Sequence, residues 1–244
     1  MENIKIIRLD ETDSTNRFLK EYGGEEGTDM TIATAEHQTA GRGQGSNTWE
    51  SEAGLNLLFS VRTRPKALEA GRQFVMLEAG ALAILAALSR YADGFTVKWP
   101  NDVYWHDKKI SGTLSECTVS RGFVGTCILG TGININQETF TSGAPNPVSL
   151  SMITGREVSC EDVLAAFVTA FTGFLDKVNS GRYDEIDGQY AAALYRRDGF
   201  HAYRDGGGAF TAEIVSVAPD GRLTLRRADG SMNTYMFKEV EYII

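Results

Sequence analysis

The period of the apolar residues changes near residue 199, and this change limits the folds open to the chain. Before it, residues 72–91 and 161–178 carry apolar side chains at the spacing of an amphipathic helix, between shorter apolar runs typical of buried strands. After it, apolar and polar residues alternate, with Pro-Asp-Gly and Asp-Gly turn signals between the runs. We therefore predict an α+β fold, with a mixed sheet and helices over residues 1–198 and a small β-barrel over residues 199–244.

Within residues 1–198, shorter sequence patterns predict the individual helices and strands. Asp-Ser-Thr-Asn precedes a short helical pattern that includes Leu19, and Ser159 is the predicted N-cap of the second long helix. Apolar runs predict strands at residues 4–9, 31–36, 55–61, 95–98, 110–118 and 123–129, the last two joined as a hairpin.

Composition narrows the class of protein. Hydrophobic residues make up 42% of the 244, which is enough for a full core, and the formal charge of −8 argues against nucleic acid as a main partner. No apolar run approaches the roughly 20 residues of a membrane span, and the N-terminus lacks a signal-peptide core. Three cysteines without metal-ligand spacing fit a reducing compartment. We expect a cytoplasmic protein without a membrane partner.

The stretch TAGRGQGSNTWES, residues 39–51, has the composition of an anion-binding loop. Glycines let backbone amides approach a ligand closely, and successive exposed amides attract anions. No Gly-Lys-Ser/Thr follows, so it is not a Walker A loop, and the Gly-x-Gly-x-x-Gly spacing of dinucleotide sites is absent. The sequence predicts a phosphate-binding loop of another kind.

A second group of polar residues follows a predicted strand end. Pro100 cannot donate to a sheet, so Asn101 and Asp102 should lie just past the strand that contains Lys98, with Lys109 immediately before the next strand. An ordinary turn with solvated lysines is an equally good explanation of this stretch alone.

Two further segments carry polar groups at positions of interest. In GTGININ, residues 130–136, alternation places Asn134 and Asn136 on one face, although a bulged edge strand would show the same pattern. Ser14 could be a plain helix N-cap.

Taken in order, these segments are far more specific than any one of them. They read Ser14-Thr15-Asn16, Gln38-x-x-Gly41-Arg42-Gly43, Trp49, Lys98-Trp99-Pro100-Asn101-Asp102, Lys109-Ile110-x-Gly112 with Glu116, and Gly130-x-Gly132-Ile133-Asn134. With this pattern the chain resembles the biotin protein ligases over about residues 8–136.

The resemblance implies a fold and an activity. The fold is a catalytic domain related to class II aminoacyl-tRNA synthetases, followed by an SH3-like barrel. The activity is ligation: biotin and ATP form biotinyl-5′-AMP with the help of Mg²⁺, and biotin then passes to one lysine of a biotin carboxyl carrier domain of a carboxylase. The glycine loop would order over the ligand.

The resemblance also implies site residues. Arg42 and Lys109 would be catalytic. Residues implied to bind biotin are Ser14, Thr15, Asn16, Gln38, Arg42, Gly43, Gln44, Lys109 and Gly112. Residues implied to bind ATP or the adenylate are Arg42, Trp49, Lys98, Asn101, Asp102, Lys109 and Asn134; no metal ligand is assigned, because Mg²⁺ would bind through the phosphates.

Two features depart from the family's common pattern. The loop has a single arginine, since Gln44, Gly45 and Asn47 stand where many relatives have arginines. The chain also begins at the catalytic segment, so we expect no N-terminal DNA-binding domain and no DNA partner, in a monomer or homodimer.

Two other functions fit less of the pattern. A lipoate or octanoate ligase also forms an acyl adenylate, but Lys-Trp-Pro-Asn-Asp and Gly-Arg-Gly favour biotin. A biotin-binding or regulatory module with little catalysis is compatible with the arginine-poor loop.

Overall fold

The computed structural model describes residues 3–25, 27–43, 45, 48–141 and 146–244. The helices are α1 (Thr15–Tyr22), α2 (Phe74–Leu88), α3 (Leu150–Thr154), α4 (Cys160–Asn179) and α5 (Tyr183–Ala192). The strands are β1 (Ile4–Thr12), β2 (Met30–Gln38), β3 (Leu57–Thr63), β4 (Phe95–Lys98), β5 (Asp102–Trp105), β6 (Lys108–Ser120), β7 (Phe123–Ile133), β8 (His201–Asp205), β9 (Gly208–Val217), β10 (Leu223–Arg227), β11 (Met232–Tyr235) and β12 (Glu241–Tyr242).

The first seven strands form one mixed sheet in the order β1-β2-β3-β7-β6-β5-β4. Only the pairing of β1 with β2 is parallel among these strands. The last five strands form a second, antiparallel sheet in the order β11-β10-β9-β8-β12. The predicted fold class, a mixed sheet with helices followed by a β-rich C-terminal part, is confirmed. The boundary at residues 198/199 stays a prediction.

Helix α2 is the centre of the main core. Its residues are almost all buried, and it contacts α4, α5 and strands β4 to β7. The stretch Ala70–Leu88 is long and apolar enough to cross a membrane, but 72% of it is buried inside the protein. Burial against neighbouring helices is what a soluble core helix requires, and a membrane span is therefore not indicated.

Helix α1 covers the opposite face of the sheet. Leu19 of this helix is fully buried in a small cluster with Ala33 of β2 and Ile128 of β7. Gly23 ends the helix in the left-handed conformation at φ 71°, which glycine adopts without a steric penalty. This packing holds the N-terminus of α1 over the middle of the sheet.

The C-terminal sheet packs against the first part of the chain through aromatic rings. The indole Nε1 of Trp99 donates a 2.9 Å hydrogen bond to the carbonyl of Gly221. The ring of Phe237 lies 5.4 Å from that of Trp99 and 5.8 Å from that of Phe74, measured between centroids. Trp99, quoted above in the sequence pattern, is thus a packing residue at this junction.

Candidate active site

One cavity of about 610 Å³ lies where the N-terminus of α1 meets the ends of β2 and β7, the start of β6 and the turn between β4 and β5. Every predicted site residue that the structure describes lines it: Ser14, Thr15, Asn16, Gln38, Arg42, Gly43, Trp49, Lys98, Asn101, Asp102, Lys109, Gly112 and Asn134. Gln44 lies outside the described residues. The tertiary structure therefore brings together segments separated by up to about half the chain, while the role of each side chain stays a prediction.

Neutral polar groups form one part of the wall. The backbone N–H and the hydroxyl of Thr15 lie 2.8 and 3.1 Å from Oε1 of Gln38, at the end of β2. The same hydroxyl is 2.7 Å from Oγ of Ser60, which donates to Oδ1 of Asn16 at 2.5 Å. Because Oε1 of Gln38 is occupied by Thr15, the amide nitrogen of Gln38 remains a donor for a ligand.

Ser14 has the backbone of an N-cap but not its hydrogen bond. Its φ and ψ are extended, as an N-cap requires, yet its hydroxyl makes no capping bond to the helix. The side chain is 6% exposed and lines the cavity. This geometry favours a ligand-binding hydroxyl over the simple capping alternative.

Two glycines of β7 allow other side chains to lie directly on the strand. A Cβ at Gly130 would collide with the side-chain amide of Asn16, and a Cβ at Gly132 would collide with the indole of Trp49. Glycine, which has no side chain, is therefore needed at both positions so that Asn16 and Trp49 can lie against the strand. The Gly-x-Gly pattern is explained by packing at the cavity floor and not by an edge bulge.

Charged groups form another part of the wall. Nζ of Lys109 lies 2.8 Å from Oδ2 of Asp102, with both side chains mostly buried. The guanidinium of Arg42 lies 3.5 Å from the carboxylate of Glu116, which also accepts a 3.1 Å hydrogen bond from Asn16. Each of the two cations predicted to be catalytic therefore faces a carboxylate.

Lys98 is the third cation of the cavity. Burial lowers the pKa of its ammonium, and the carboxylate of Asp102 opposes that shift. Its Nζ lies 5.3 Å from the ring centroid of Tyr104 and 4.9 Å from that of Tyr242 in the last strand. The aromatic faces offset part of the cost of burying this charge.

The two asparagines predicted on the nucleotide side also brace the cavity. The side-chain amide of Asn101 donates to the carbonyl of Thr113, whose N–H donates back to the carbonyl of Asn101 at 3.1 Å. Nδ2 of Asn134 donates to the carbonyl of Val148 at 3.2 Å. In each case the side-chain NH₂ group donates one hydrogen bond to a backbone carbonyl.

Two details differ from the expectations drawn from the sequence. Lys109 lies within β6 and not before it, since that strand begins at Lys108. Asn136 does not share a face with Asn134, because β7 ends at Ile133; the Asn136 side chain instead bonds both backbone groups of Val158. The alternation on which that pairing depended stops with the strand.

Several residues that line the cavity or support its lining were given no role from the sequence. Glu116 belonged to the family pattern without a role, and Ser60 was not considered. Ser60 sits in an apolar strand with no local signal, and only its register opposite Gly130 of β7 places it beside Asn16. The residues that do line the cavity without an assigned role are Thr48, Glu50, Tyr104, Thr113, Leu114, Gly130, Thr131, Gly132, Phe140 and Pro147.

Trp49 presents a donor without a partner. Its indole Nε1 is buried and has no hydrogen-bond acceptor among the described residues. Nζ of Lys109 lies 5.9 Å from its ring centroid. A buried indole N–H is costly when unpaired, so an incoming acceptor group would stabilise this arrangement.

The described part of the chain contains no set of side chains that could coordinate a metal ion without a ligand. Within residues 3–25, 27–43, 45, 48–141 and 146–244, no group of three or more His, Cys, Asp or Glu side chains is arranged to hold one. Asp102 and Glu50 are the acidic residues that line the cavity.

The cavity combines neutral donors and acceptors with cations. A ligand with a neutral polar head group and an acid or phosphate group at its other end would satisfy both sets.

Comparison with known proteins agrees with this chemistry. Residues 9–134 match the model of the biotin/lipoate A/B protein ligase family. The chain is 31% identical to the bifunctional ligase/repressor BirA of Bacillus spizizenii, over 68% of this chain and 52% of that protein. It is 30% identical to the biotin–[acetyl-CoA-carboxylase] ligase of Paracoccus denitrificans, over 77% of this chain and 80% of that protein.

A solved structure is similar over the whole chain. The biotin protein ligase from Aquifex aeolicus in complex with biotin and ATP superposes with a TM-score of 0.80 and 28% identity, covering 100% of both chains. In contrast, the chain spans about half the length (52%) of the Bacillus relative. The family match alone covers more than half of the 244 residues. The chain belongs to the biotin/lipoate A/B protein ligase family.

Proposed function

We propose that this protein is a biotin protein ligase that activates biotin with ATP to biotinyl-5′-AMP and transfers biotin to a lysine of a biotin carboxyl carrier domain. The single observation that carries the proposal is the 610 Å³ cavity, whose wall combines a neutral hydrogen-bonding group with three cations. The Paracoccus relative and the Aquifex structure, whose names specify biotin ligation and binding of biotin and ATP, support the same activity.

The neutral wall suits the ureido ring of biotin. That ring has two N–H donors and one carbonyl acceptor and carries no charge. The hydroxyls of Ser14 and Thr15 and the amide of Gln38 provide acceptors and donors of matching type, with Asn16 and Gly43 beside them. Leu114 and Phe140 provide apolar surface for the thiophane ring and the valeryl chain.

The cations suit the first chemical step. A carboxylate oxygen of biotin attacks the α-phosphorus of ATP, the bond from that phosphorus to the bridging oxygen breaks, and pyrophosphate leaves. Negative charge accumulates on the α-phosphate oxygens, where the ammonium of Lys109 and the guanidinium of Arg42 would stabilise it. On ligand binding, Lys109 and Arg42 would exchange their ion pairs with Asp102 and Glu116 for contacts to the phosphate.

The second step needs no nucleophile from the enzyme. The neutral amine of the carrier lysine attacks the acyl carbon, the bond to the phosphate oxygen breaks, and AMP leaves with the electron pair. Because the adenylate hydrolyses readily, enclosing it in a cavity protects it from water.

The remaining predicted residues would hold the nucleotide. Asn101, Asn134 and Trp49 supply amide and indole groups, and Lys98 adds a cation. Asp102 would help to hold Mg²⁺ together with the phosphates, and the ion would supply charge neutralisation there.

Biotin-dependent exchange of labelled pyrophosphate into ATP tests the first step, and mass spectrometry of an isolated carrier domain tests the second. We expect exchange with biotin, and a carrier mass increased by one biotin in the presence of Mg-ATP. Lipoic acid is the control substrate, because the family model covers both acids. Exchange with lipoate but not biotin would reassign the substrate, and biotin binding without exchange would indicate a non-catalytic module.

We further propose a cytoplasmic location, a monomer or homodimer, and no DNA or membrane partner. The net charge of −8 supports the absence of DNA binding.

A further inference from the structure

Two of the chain's three cysteines face each other across neighbouring strands, outside the lining of the candidate active site. Cys117 of β6 is the direct antiparallel partner of Cys127 of β7, both are free thiols, and neither lines the cavity. Directly opposed residues of antiparallel strands have Cα atoms about 4.5–5.5 Å apart, and disulfides span Cα separations of about 4.4–6.8 Å. The backbone therefore already holds this pair at a separation that a disulfide bond requires.

The side chains of the pair point to the same side of the sheet. Oγ of Ser115, two residues before Cys117, lies 3.7 Å from Sγ of each cysteine. One hydroxyl contacts both sulfur atoms only if those atoms are neighbours on one face. The strand register and this shared contact thus place the two thiols side by side.

The two thiols differ in exposure and in acidity. Cys117 is partly exposed, and its hydrogen bond with the Cys127 thiol lowers the pKa of Cys117. The same hydrogen bond, together with complete burial, raises the pKa of Cys127. Because the thiolate is the nucleophile, Cys117 is the thiol that reacts first with an oxidant, and Cys127 stays beside it as a second thiol.

The surroundings of the pair make extensive oxidation damaging. Cys127 belongs to the main hydrophobic core, and Cys117 packs against that core. Oxidation of a thiol beyond the sulfenic acid gives a sulfinic or sulfonic acid, which is charged at neutral pH and is not reduced by thiols. Burying an unpaired charge is costly, whereas a disulfide between the two sulfurs adds no charge.

We propose that Cys117 and Cys127 form a reversible disulfide when the protein meets a hydroperoxide, and that this bond protects the core from irreversible oxidation. The proposal is independent of the proposed function, since it involves no ligand of the cavity. A protein with free thiols at rest and a transient disulfide under oxidation also suits a reducing compartment.

The chemistry balances with hydrogen peroxide as the oxidant. The sulfur of Cys117 attacks one peroxide oxygen, the O–O bond breaks, and one water leaves with the thiol proton, so that Cys117 becomes a sulfenic acid. The sulfur of Cys127 then attacks the sulfur of Cys117, the S–O bond breaks, the S–S bond forms, and a second water leaves with the proton of Cys127. Two thiols are oxidised by two electrons, and one peroxide is reduced to two waters. Dithiothreitol reverses the bond by thiol–disulfide exchange.

Peptide mapping of the full chain tests the proposal directly. Trypsin cuts after Lys109, Arg121, Arg156 and Lys177, so the three cysteines fall in three separate peptides, residues 110–121, 122–156 and 157–177. After brief treatment with hydrogen peroxide and alkylation of the remaining thiols, we expect peptides 110–121 and 122–156 to be linked, with the loss of two hydrogen atoms. Dithiothreitol should separate them and return both thiols.

Cys160 is the internal control in the same map. It begins α4, and burial raises its pKa to about 11. Cys117 should therefore lose its free thiol at least about tenfold faster than Cys160, because reactivity follows thiolate character and exposure.

Variants test the protective role. In Cys127→Ala, Cys117 has no thiol to react with, so peroxide should convert it to the sulfinic acid, and dithiothreitol should not restore the Tm of the untreated variant. The wild type and Cys160→Ala should both recover their Tm after reduction. The wild-type peptide map decides the proposal even if Cys127→Ala fails to fold.

Three results would overturn the proposal. One is a wild type in which Cys117 becomes a sulfinic or sulfonic acid without a link between the two peptides. Another is a link that involves Cys160 or joins two chains. The third is full recovery of the Tm of peroxide-treated Cys127→Ala after reduction, which would remove the protective role. None of these measurements uses biotin or ATP, so a failure of the proposed function would not affect them.

Discussion

Nζ of Lys109 lies 2.8 Å from Oδ2 of Asp102, so the cation assigned to the α-phosphate is already paired before any ligand binds. Asp102 begins β5 and Lys109 lies near the start of β6, and these two strands are neighbours in the sheet. The ion pair holds the ammonium of Lys109 in position at the cavity wall. A ligand carboxylate or phosphate must compete with Asp102 for it.

Replacing Lys109 by alanine should slow adenylate formation far more than it weakens biotin. Loss of one contact made in the transition state costs about 10²–10³ in rate, or roughly 3–4 kcal/mol. Biotin-dependent pyrophosphate exchange and calorimetry with biotin measure the two effects. Lys108→Ala is the control: Lys108 is exposed while Lys109 lines the cavity, so exchange should stay within a few-fold of wild type. Similar behaviour of the two variants would show that Lys109 is not the phosphate contact.

Replacing Asp102 by asparagine should separate its two proposed tasks. The variant keeps the shape and removes the negative charge beside Lys109, so biotin, whose acid group is also negative, should bind as tightly as to wild type or tighter without metal. Exchange should fall and need more Mg²⁺, because a carboxylate near the phosphates is lost. Titration of exchange rate against Mg²⁺ measures this. An unchanged Mg²⁺ requirement would remove Asp102 from the metal side of the site.

Replacing Gly130 by alanine should damage the neutral wall specifically. The new methyl group would collide with Asn16, which is held by Ser60 at 2.5 Å and by Glu116 at 3.1 Å and cannot move freely. We expect about tenfold or greater loss of biotin affinity and a stability loss of about 1–3 kcal/mol. Gly125→Ala on the same strand is the control, since its methyl group would meet the hydroxyl of Thr118 at 3.3 Å and the carbonyl of Thr118 at 3.9 Å, without a collision below 3.0 Å. Equal biotin affinity in the two variants would contradict the close approach of Asn16.

Glu78 should make stability fall as pH rises. Burial raises the pKa of Glu78 from 4.5 to about 9. The neighbouring carboxylate of Asp187 also raises this pKa, whereas the positive charge of Arg72 lowers it. The folded protein therefore retains a proton that the unfolded chain loses, and between these two values stability falls by up to about 1.4 kcal/mol per pH unit. The stabilisation is fully present below pH 4.5 and is lost as pH approaches 9.

Glu78→Gln tests this linkage, because glutamine keeps the shape and a donor but does not ionise. In urea unfolding, the free energy of unfolding of the variant relative to that of the wild type should be higher at pH 8 than at pH 5. A difference in free energy of unfolding that is the same at both pH values would mean that Glu78 ionises normally in the folded protein.

The chain should not bind DNA with sequence specificity. Phosphate neutralisation by lysine and arginine dominates DNA affinity, and this chain has 24 such residues against 32 acidic ones. Gel-shift titration with biotin-operon operator DNA and with a scrambled duplex at low salt should show no discrimination. Tight binding to the operator but not to the scrambled duplex would contradict the prediction.

Much of the fold could be predicted because its signals are local. The long helices appear as α2 and α4, and Ser159 caps α4 by accepting a 3.1 Å hydrogen bond from the N–H of Asp162. Helices α3 and α5 and strand β5 were not predicted. α5 has only two fully buried residues, and β5 has four residues directly after a turn, so neither shows a clear period.

By itself, the sequence determined the periodic elements, the change from helical to alternating pattern, and the polar motifs that line the cavity, because each depends on residues near one another in the chain. Only the tertiary structure decided that Asp102 pairs with Lys109, that Ser60 and Glu116 hold Asn16, and that Lys238 reaches Gly45. Lys238 and Gly45 are far apart in the chain, and no local pattern links them. Their contact depends on how the second sheet packs on the first, through Trp99 and Phe237. Burial of those rings against each other sets that geometry, and it exists only in the folded protein.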